Sequence, residues 1–371
     1  MSAGLRQRVH RVHARIQRGG VQGRFVGVQH LCSQTHRVLG YQDGARIRGD
    51  GLAFEPGDLL YAAIRPEQNK VALARWSGVA SPEILVLRPV EPHLRHALLL
   101  WLTHPHTTQV ATQLARGNGR RRVRWADLAD AMSHGPDDRS LGQLAGIASQ
   151  IAARIDLLHA RCAAHQALLC ASAPAGQEGP RWGDVGTIQP PVPPGARADT
   201  KRPLIDVSCL RSAELSIGRW SARPPMGPHR RVREGDVLIS RLRPALKKAA
   251  ICPTEAVTTP ELVPFRFAPM WRTAAMASLT QGHLWHRLVG AASGSQMPRV
   301  RLEHLQSIPI GLSAGRAQAL HRQLGPVVEH LVRAPRYGRA LHALRTQLAE
   351  PILSPWVRLT APPVCRTSHT G

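Results

Sequence analysis

Lysine is nearly missing from this chain: four residues against 45 arginines in 371. Acids are scarce too, 24 against 49 bases, which leaves a net charge of +25. The six cysteines (32, 162, 170, 209, 252 and 365) form no Cys-x-x-Cys pair and keep no regular spacing. That excludes a zinc ribbon or a disulfide framework and favours a reducing cytoplasm with unpaired thiols. No apolar run approaches the ~20 residues that span a bilayer, so Leu98 to Leu102 reads as ordinary core and no membrane partner is expected. Catalytic signatures are equally thin. A phosphate-binding loop needs Gly-Lys before Ser or Thr, and none of the four lysines follows a glycine. Gly117-Asn118-Gly119 starts like a dinucleotide fingerprint, but Arg122 stands where the third glycine belongs. Adenine methylation uses an Asp or Asn before Pro-Pro and an aromatic residue. Here the Pro-Pro pairs follow Gln189, Val192, Arg223 and Ala361.

Two looser patterns stay open. Asp199-Thr200-Lys201 with upstream Asp184 is a partial nuclease pattern, set in a Pro-rich stretch that also reads as linker. His104-Pro105-His106 offers metal-ligand chemistry, or two ordinary surface or core histidines among 19. Neither makes a constellation, so no catalytic and no metal-binding residue is assigned.

What the chain does have, it has twice. Gly57-Asp58-Leu59-Leu60, then Arg65-Pro66 and Lys70, recurs 178 residues on as Gly235-Asp236-Val237-Leu238, Arg243-Pro244 and Lys248. The match runs without a gap from Gly57 to Arg88, with 11 of 32 positions identical, Pro82-Glu83 against Pro260-Glu261 among them. Later, Gly117 and Arg122-Val123-Arg124 align with Gly294 and Arg299-Val300-Arg301 at an offset of 177. A period this long means tandem domains, not a solenoid of ~20 to 50-residue units. The chain is long enough for each copy to bury its own core. Three of the four lysines, Lys70, Lys247 and Lys248, fall inside the duplicated stretch. Arginine-rich codon usage alone inflates the charge, but it does not place lysines.

Along the chain, Met1 to Gly20 is basic and acid-free, with Leu5, Val9, Val12 and Ile16 at helical spacing. It reads either as a helix packed on a partner helix or as an organelle transit sequence. Arg24 to Val28 and Leu204 to Val207 read as strands. Gly-Asp turns then lead into strands at Leu59 to Tyr61 and Val237 to Ile239. Arg-Pro interrupts them, because proline gives no ladder donor and restricts the residue before it. Val71 to Leu73 and Ala249 to Ile251 return, and Ile84 to Leu87 and Leu262 to Phe267 follow as strands. Helices are expected near Pro92 to Leu114 and Trp271 to Gly290, then donor-rich loops at Gly117 to Arg122 and Gly294 to Arg299. Asp58 and Asp236 read as turn formers. After each copy comes a heptad seam: Leu144, Ala148, Ile151, Ile155, Leu158, Cys162, His165 and Leu169, then Leu320, Leu324, Val327, Leu331, Ala334, Gly338, Leu341 and Leu348. Pro326 and Pro335 predict a kink or break in the second. The two helices pair antiparallel as a spacer, or else pack on separate cores.

Basic loops on duplicated modules suit a polyanion. The candidate DNA-binding residues are Arg65, Lys70, Arg120, Arg121, Arg122 and Arg124 in the first copy. In the second they are Arg243, Lys247, Lys248, Ser295, Gln296, Arg299 and Arg301. Arginine supplies bidentate donors that fit phosphates or guanine edges. Lys70 and Lys248 either meet phosphates or pair Glu83 and Glu261.

The residues now in view resemble a known family. Phe25-Val26-Gly27-Val28-Gln29-His30-Leu31, Phe54-Glu55-Pro56-Gly57-Asp58-Leu59-Leu60, Ile64-Arg65-Pro66, Lys70-Val71-Ala72 and Ile84 to Pro89 look like the target recognition domain of type I restriction-modification specificity subunits. Gly235-Asp236-Val237-Leu238, Arg241-Leu242-Arg243-Pro244 and Gly294 to Val300 match in the second copy. The resemblance implies an α+β fold of two tandem α/β recognition domains separated by long helices that form an antiparallel coiled-coil spacer. It places the domains at 1–136 and 173–314, the helices at 137–172 and 315–352, and a tail at 353–371. It also implies a non-catalytic, cytoplasmic subunit without a cofactor of its own that reads a split double-stranded DNA target. Its partners would be two adenine methyltransferase subunits and a restriction and translocase subunit. The family's Pro-Pro-Leu and Glu-Gln before each helix are replaced by Gly135-Pro136-Asp137-Asp138 and Leu312-Ser313-Ala314-Gly315. That departure leaves open an orphan DNA-binding adaptor, or a recognition module with its own nuclease activity.

Overall fold

The computed structural model describes residues 3–17, 23–47, 49–173, 176, 179–192, 202–221 and 228–359. It divides into two units, Met1–Arg154 with Leu341–Gly371, and Ile155–Ala340.

In the first unit the duplicated stretch builds the middle of a four-stranded antiparallel sheet. Leu59–Ala62 lies between Val71–Leu73 and Ile84–Pro89, and Val9–Arg11 pairs with the far edge of the last. Side chains alternate faces along a strand. Leu59, Tyr61, Leu85 and Leu87 fill a core shared with the helices, while Leu60, Ala62, Ile84 and Val86 fill a second core. A strand that must fill two cores has no polar face, which is why these segments are continuous apolar runs. Helices Arg95–Thr103 and Pro105–Leu114 cover the first face, with Trp101 fully buried. The second face is closed by a five-stranded sheet, in the order Arg15–Ile16, Gly51–Phe54, Gly78–Ala80, Arg24–Val26, Gln42–Asp43.

The second unit repeats this plan. Its four-stranded sheet runs Gly186–Ile188, Leu262–Phe267, Val237–Ser240, Ala249–Ile251, and the register is kept: Leu59 opposes Leu87, and Val237 opposes Phe265. Helices Pro269–Ser278 and Gly282–Gly290 cover one face. A three-stranded sheet of Leu204–Ile205, Ala256–Thr258 and Arg230–Val232 covers the other. In both units the covering sheet carries one parallel pair, Arg24–Val26 with Gly78–Ala80 and Leu204–Ile205 with Ala256–Thr258.

The two aspartates of the repeat are structural in both copies. Asp58 and Asp236 are 1% and 2% exposed. Asp58 accepts Arg88 Nε and Nη2 at 2.8 and 2.9 Å, and Asp236 accepts Arg266 Nε and Nη2 at 2.9 and 2.8 Å. Each also accepts the backbone N–H three residues earlier, from Glu55 and Arg233. The carboxylate hydrogen bond raises both guanidinium pKa values. This clamp ties the Gly-Asp turn to the far end of the long central strand.

The N-terminus corrects the sequence reading. Among the described residues of that stretch only Leu5–Arg8 is helical; Val9–Arg11 and Arg15–Ile16 are strands. The apolar residues do not share one helical face, because Leu5 and Val9 enter the helix-side core while Val12 packs on the other. The open edge of Ile84–Pro89 supplies backbone partners that a helix would leave unpaired. The second unit starts identically: Trp182–Val185 is a helical turn leading into Gly186–Ile188. Leu5 N–H donates to Met132 O at 2.9 Å and Trp182 N–H to Ile308 O at 2.8 Å, closing each unit end to end.

Two long helices, Asp138–Ala171 and Ala314–Leu359, each contribute residues to both units. Asp137 starts the first by accepting Ser140 N–H at 2.9 Å. In the first unit, Leu141, Leu144, Ala145 and Ala148 of one helix share a core with Ala349 and Leu353 of the other. In the second, the His165 and His330 rings meet edge to face at 4.7 Å, and Leu158 packs at Gly338. Late residues of one helix meet early residues of the other, so the pairing is antiparallel. The expected break at Pro326 and Pro335 is absent, and the helix continues through Pro351 to Leu359, past the predicted tail boundary. Each proline removes one N–H donor, but Leu320, Leu324, Val328, Leu331 and Val332 bury a seam around the first two that holds the helix in place.

Candidate nucleic-acid interface

The Arg-Pro turn places its arginine in an unusual backbone state. Arg65 has φ 50° and ψ 58°, and Arg243 has φ 50° and ψ 63°; each precedes a short 3-10 turn that ends on a second left-handed residue, Asn69 or Lys247. Left-handed non-glycine residues are uncommon and cost roughly 1–2 kcal/mol each. They persist where the surroundings fix them. Arg65 N–H donates to Arg121 O at 3.0 Å, Arg243 N–H to Pro298 O at 2.8 Å, and Asn69 Nδ2 to Thr103 O at 2.7 Å.

The Arg121 and Pro298 carbonyls belong to the donor-rich loops, and Thr103 ends helix Arg95–Thr103. Arg116 and Arg122 exchange backbone hydrogen bonds of 3.0 and 2.9 Å, and Ser293 and Arg299 do the same at the same lengths. Each loop is thus a closed hairpin, with Gly117 at φ 112° and Gly294 at φ 105° turning it. The hairpin base is stitched to the strand end by Val123 N–H to Ala63 O at 3.0 Å and Val300 N–H to Arg241 O at 2.9 Å. Arg65 with Arg120, Arg121 and Arg122, and Arg243 with Ser295, Gln296 and Arg299, therefore form one exposed cluster in each unit.

Side-chain partners divide these residues. Arg121 folds back on Ala115 O at 2.7 and 3.1 Å. Arg124 is held by Asp127 at 2.9 and 3.0 Å, a pairing that raises the guanidinium pKa and lowers that of the acid. Arg120 lies 3.6 Å from Glu83, and Arg299 3.5 Å from Glu261. Arg65, Arg122, Arg243 and Arg301 have no side-chain partner among the described residues.

The lysines sit elsewhere than the loops. Lys70 Nζ donates to Val28 O at 3.2 Å and Lys248 Nζ to Val207 O at 2.9 Å. Each braces the 3-10 turn after the first strand, and burial lowers the Lys248 pKa. Glu83 and Glu261, offered by the sequence as lysine partners, stand beside Arg120 and Arg299. Lys247 is half-exposed beside Lys248. His104 caps helix Pro105–Leu114 through Nδ1 and meets Glu350 at 3.0 Å through Nε2. Asp184 accepts Arg181 N–H at 2.8 Å within a helical turn, while Asp199 and Lys201 lie outside the described residues. The glutamates were legible as an identity of the repeat, Pro82-Glu83 with Pro260-Glu261, but nothing in the sequence showed that they reach the loop arginines.

No family model and no curated protein matches the chain. Three solved structures are similar to it over nearly its whole length. The HsdS subunit from Thermoanaerobacter tengcongensis shares 16% identity over 94% of this chain and 97% of its own, with a TM-score of 0.31. A chain from the structure describing complex assembly and conformational transition of the type I R-M system shares 16% over 95% and 98%, TM-score 0.31. The type I restriction-modification S subunit from M. genitalium shares 10% over 95% and 96%, TM-score 0.42. Superpositions this loose leave the function to be read from the chain's own repeat and loops.

Proposed function

We propose that this chain is the DNA-recognition subunit of a type I restriction-modification complex, reading a bipartite double-stranded target with one loop cluster per unit. The observation that carries the reading is the arginine-bearing hairpin, built twice on the same clamped scaffold and fastened both times through backbone bonds to a left-handed Arg-Pro turn. A reader of two separate half-sites needs that arrangement; an enzyme site needs a constellation, and none was found in the sequence. Arg65, Arg121, Arg122 and Arg124, with Arg243, Ser295, Gln296 and Arg301, are the proposed contacts to phosphates and base edges, and Arg120 and Arg299 stand beside them paired with Glu83 and Glu261. Lys70 and Lys248 support the turn beneath them, and Lys247 flanks it. The recognition domains are residues 1–136 and 173–314, and helices Asp138–Ala171 and Ala314–Leu359 set the gap between half-sites. Two adenine methyltransferase subunits and a restriction and translocase subunit would supply the chemistry, acting in the cytoplasm.

Footprinting of the chain reconstituted with its methyltransferase, together with mapping of modified adenines, tests this. Two short protected elements a fixed distance apart are expected. One contiguous site, or equal protection of all duplexes at a stated salt concentration, would remove the two-reader assignment.

A further inference from the structure

The glutamate of the repeated Pro-Glu pair reaches into the arginine hairpin in both units. Its backbone fixes it there: Glu83 O accepts Ala63 N–H at 2.9 Å, and Glu261 O accepts Arg241 N–H at 2.9 Å. Those donors lie at the strand end to which each hairpin is stitched, so the carboxylate stands beside the loop whatever the loop's sequence. Yet the two acids take non-equivalent arginines. Glu83 meets Arg120, near the hairpin tip, at 3.6 Å, while Glu261 meets Arg299, the counterpart of Arg122, at 3.5 Å. The arginine side chains are 77% and 53% exposed and the carboxylates 35% and 31%, which makes these open, exchangeable pairs.

We propose that Glu83 and Glu261 are specificity-determining residues that hold one loop arginine of each unit away from DNA phosphates. The proposal rests on the DNA-recognition reading above. Phosphate contacts carry affinity without sequence information, and selectivity is a difference between affinities. An acid that occupies one arginine lowers the sequence-independent part and leaves the rest of the loop untouched. Because the acids choose different arginines, the units keep different free donors: Arg122 in the first, but not its counterpart Arg299 in the second, where Arg301 remains. The same scaffold thereby presents two unlike sets of contacts.

The test measures binding of the full chain to a random-sequence duplex across a salt series. Glu83→Gln and Glu261→Gln each free one arginine, and an exposed ion pair limits the gain to about fivefold in affinity at low salt. One added phosphate contact steepens the slope of log K against log salt by about 0.9. Glu255→Gln removes the same charge and breaks another exposed pair, to Arg202, and is expected to leave the slope unchanged. Arg299→Ala is expected to cost less than about twofold alone and to cancel the whole gain in the Glu261→Gln background. Unchanged or weaker binding by both Gln variants overturns the proposal, as does an Arg299→Ala cost that is the same in both backgrounds or a slope change in Glu255→Gln. A wild-type chain without salt-dependent duplex binding would remove the DNA reading itself, a result distinguishable from these.

Discussion

The two units keep the same scaffold and differ where they would touch a ligand. Asp58 with Arg88 and Asp236 with Arg266 agree to 0.1 Å in their hydrogen bonds, and the left-handed arginines agree within 5°. The hairpins they hold carry Asn118-Gly119-Arg120-Arg121 in one unit and Ser295-Gln296-Met297-Pro298 in the other. A second contrast lies under the helices. The bridges Leu31 with Val38 and Leu210 with Ile217 put His36 of the first unit where the second has Leu215. Half-buried His36, beside Arg345 and His342, has its pKa lowered to about 3, first by desolvation and then by those two charges. Leu215 simply joins the core. One copy is an apolar answer to a position at which the other holds a half-buried base.

The clamp gives the largest expected effect and the strictest test of equivalence. Asp58→Ala or Asp236→Ala removes a carboxylate that satisfies a backbone donor and a guanidinium. The arginines are 42% and 32% exposed and regain water, so the loss is about 2–3 kcal/mol, below that of a fully buried pair. Denaturant unfolding should show the two variants alike, and a difference above about 1 kcal/mol would break the equivalence of the scaffolds.

His36 comes next. Its folded pKa lies below its unfolded value, so the unfolded chain takes up the proton first as pH falls through 6.5, and stability is lost from there down toward pH 3. Between pH 7.5 and 5 the loss is about 2 kcal/mol. His36→Leu, which copies the second unit, should abolish that part of the acid sensitivity; an unchanged pH profile of unfolding would show that His36 is not its source.

Lys70→Met is the smallest change. It leaves Val28 O without this donor and should cost about 1 kcal/mol, with modestly weaker DNA binding and the same preferred sequence. A changed target in methylation mapping would turn the lysine from brace into reader.

The central strands, the Arg-Pro bends and the loops were legible because the repeat marks them and because apolar runs and Gly-Asp turns are local signals. The N-terminal strands were not: Leu5 and Trp182 occupy equivalent places without being alike, and spacing cannot tell a helical face from a segment shared between two cores. The lysine acceptors lie about 40 residues away in sequence, a distance over which composition says nothing. The same holds for the choice of Arg120 in one unit and Arg299 in the other, which depends on hairpin conformation. Of the kink or break expected from the prolines of the second long helix, the break does not occur, because a local penalty was outweighed by the buried seam beside it.

The hairpins hang from the strand ends chiefly by main-chain bonds, and the carbonyl that anchors the turn comes from Arg121 in one copy and Pro298 in the other. An attachment made mostly by the main chain separates inheritance of the fold from inheritance of the loop sequence. Substitutions at the hairpin tip then cost the scaffold little, so the loop can change one residue at a time while the sheet and clamp beneath it are kept.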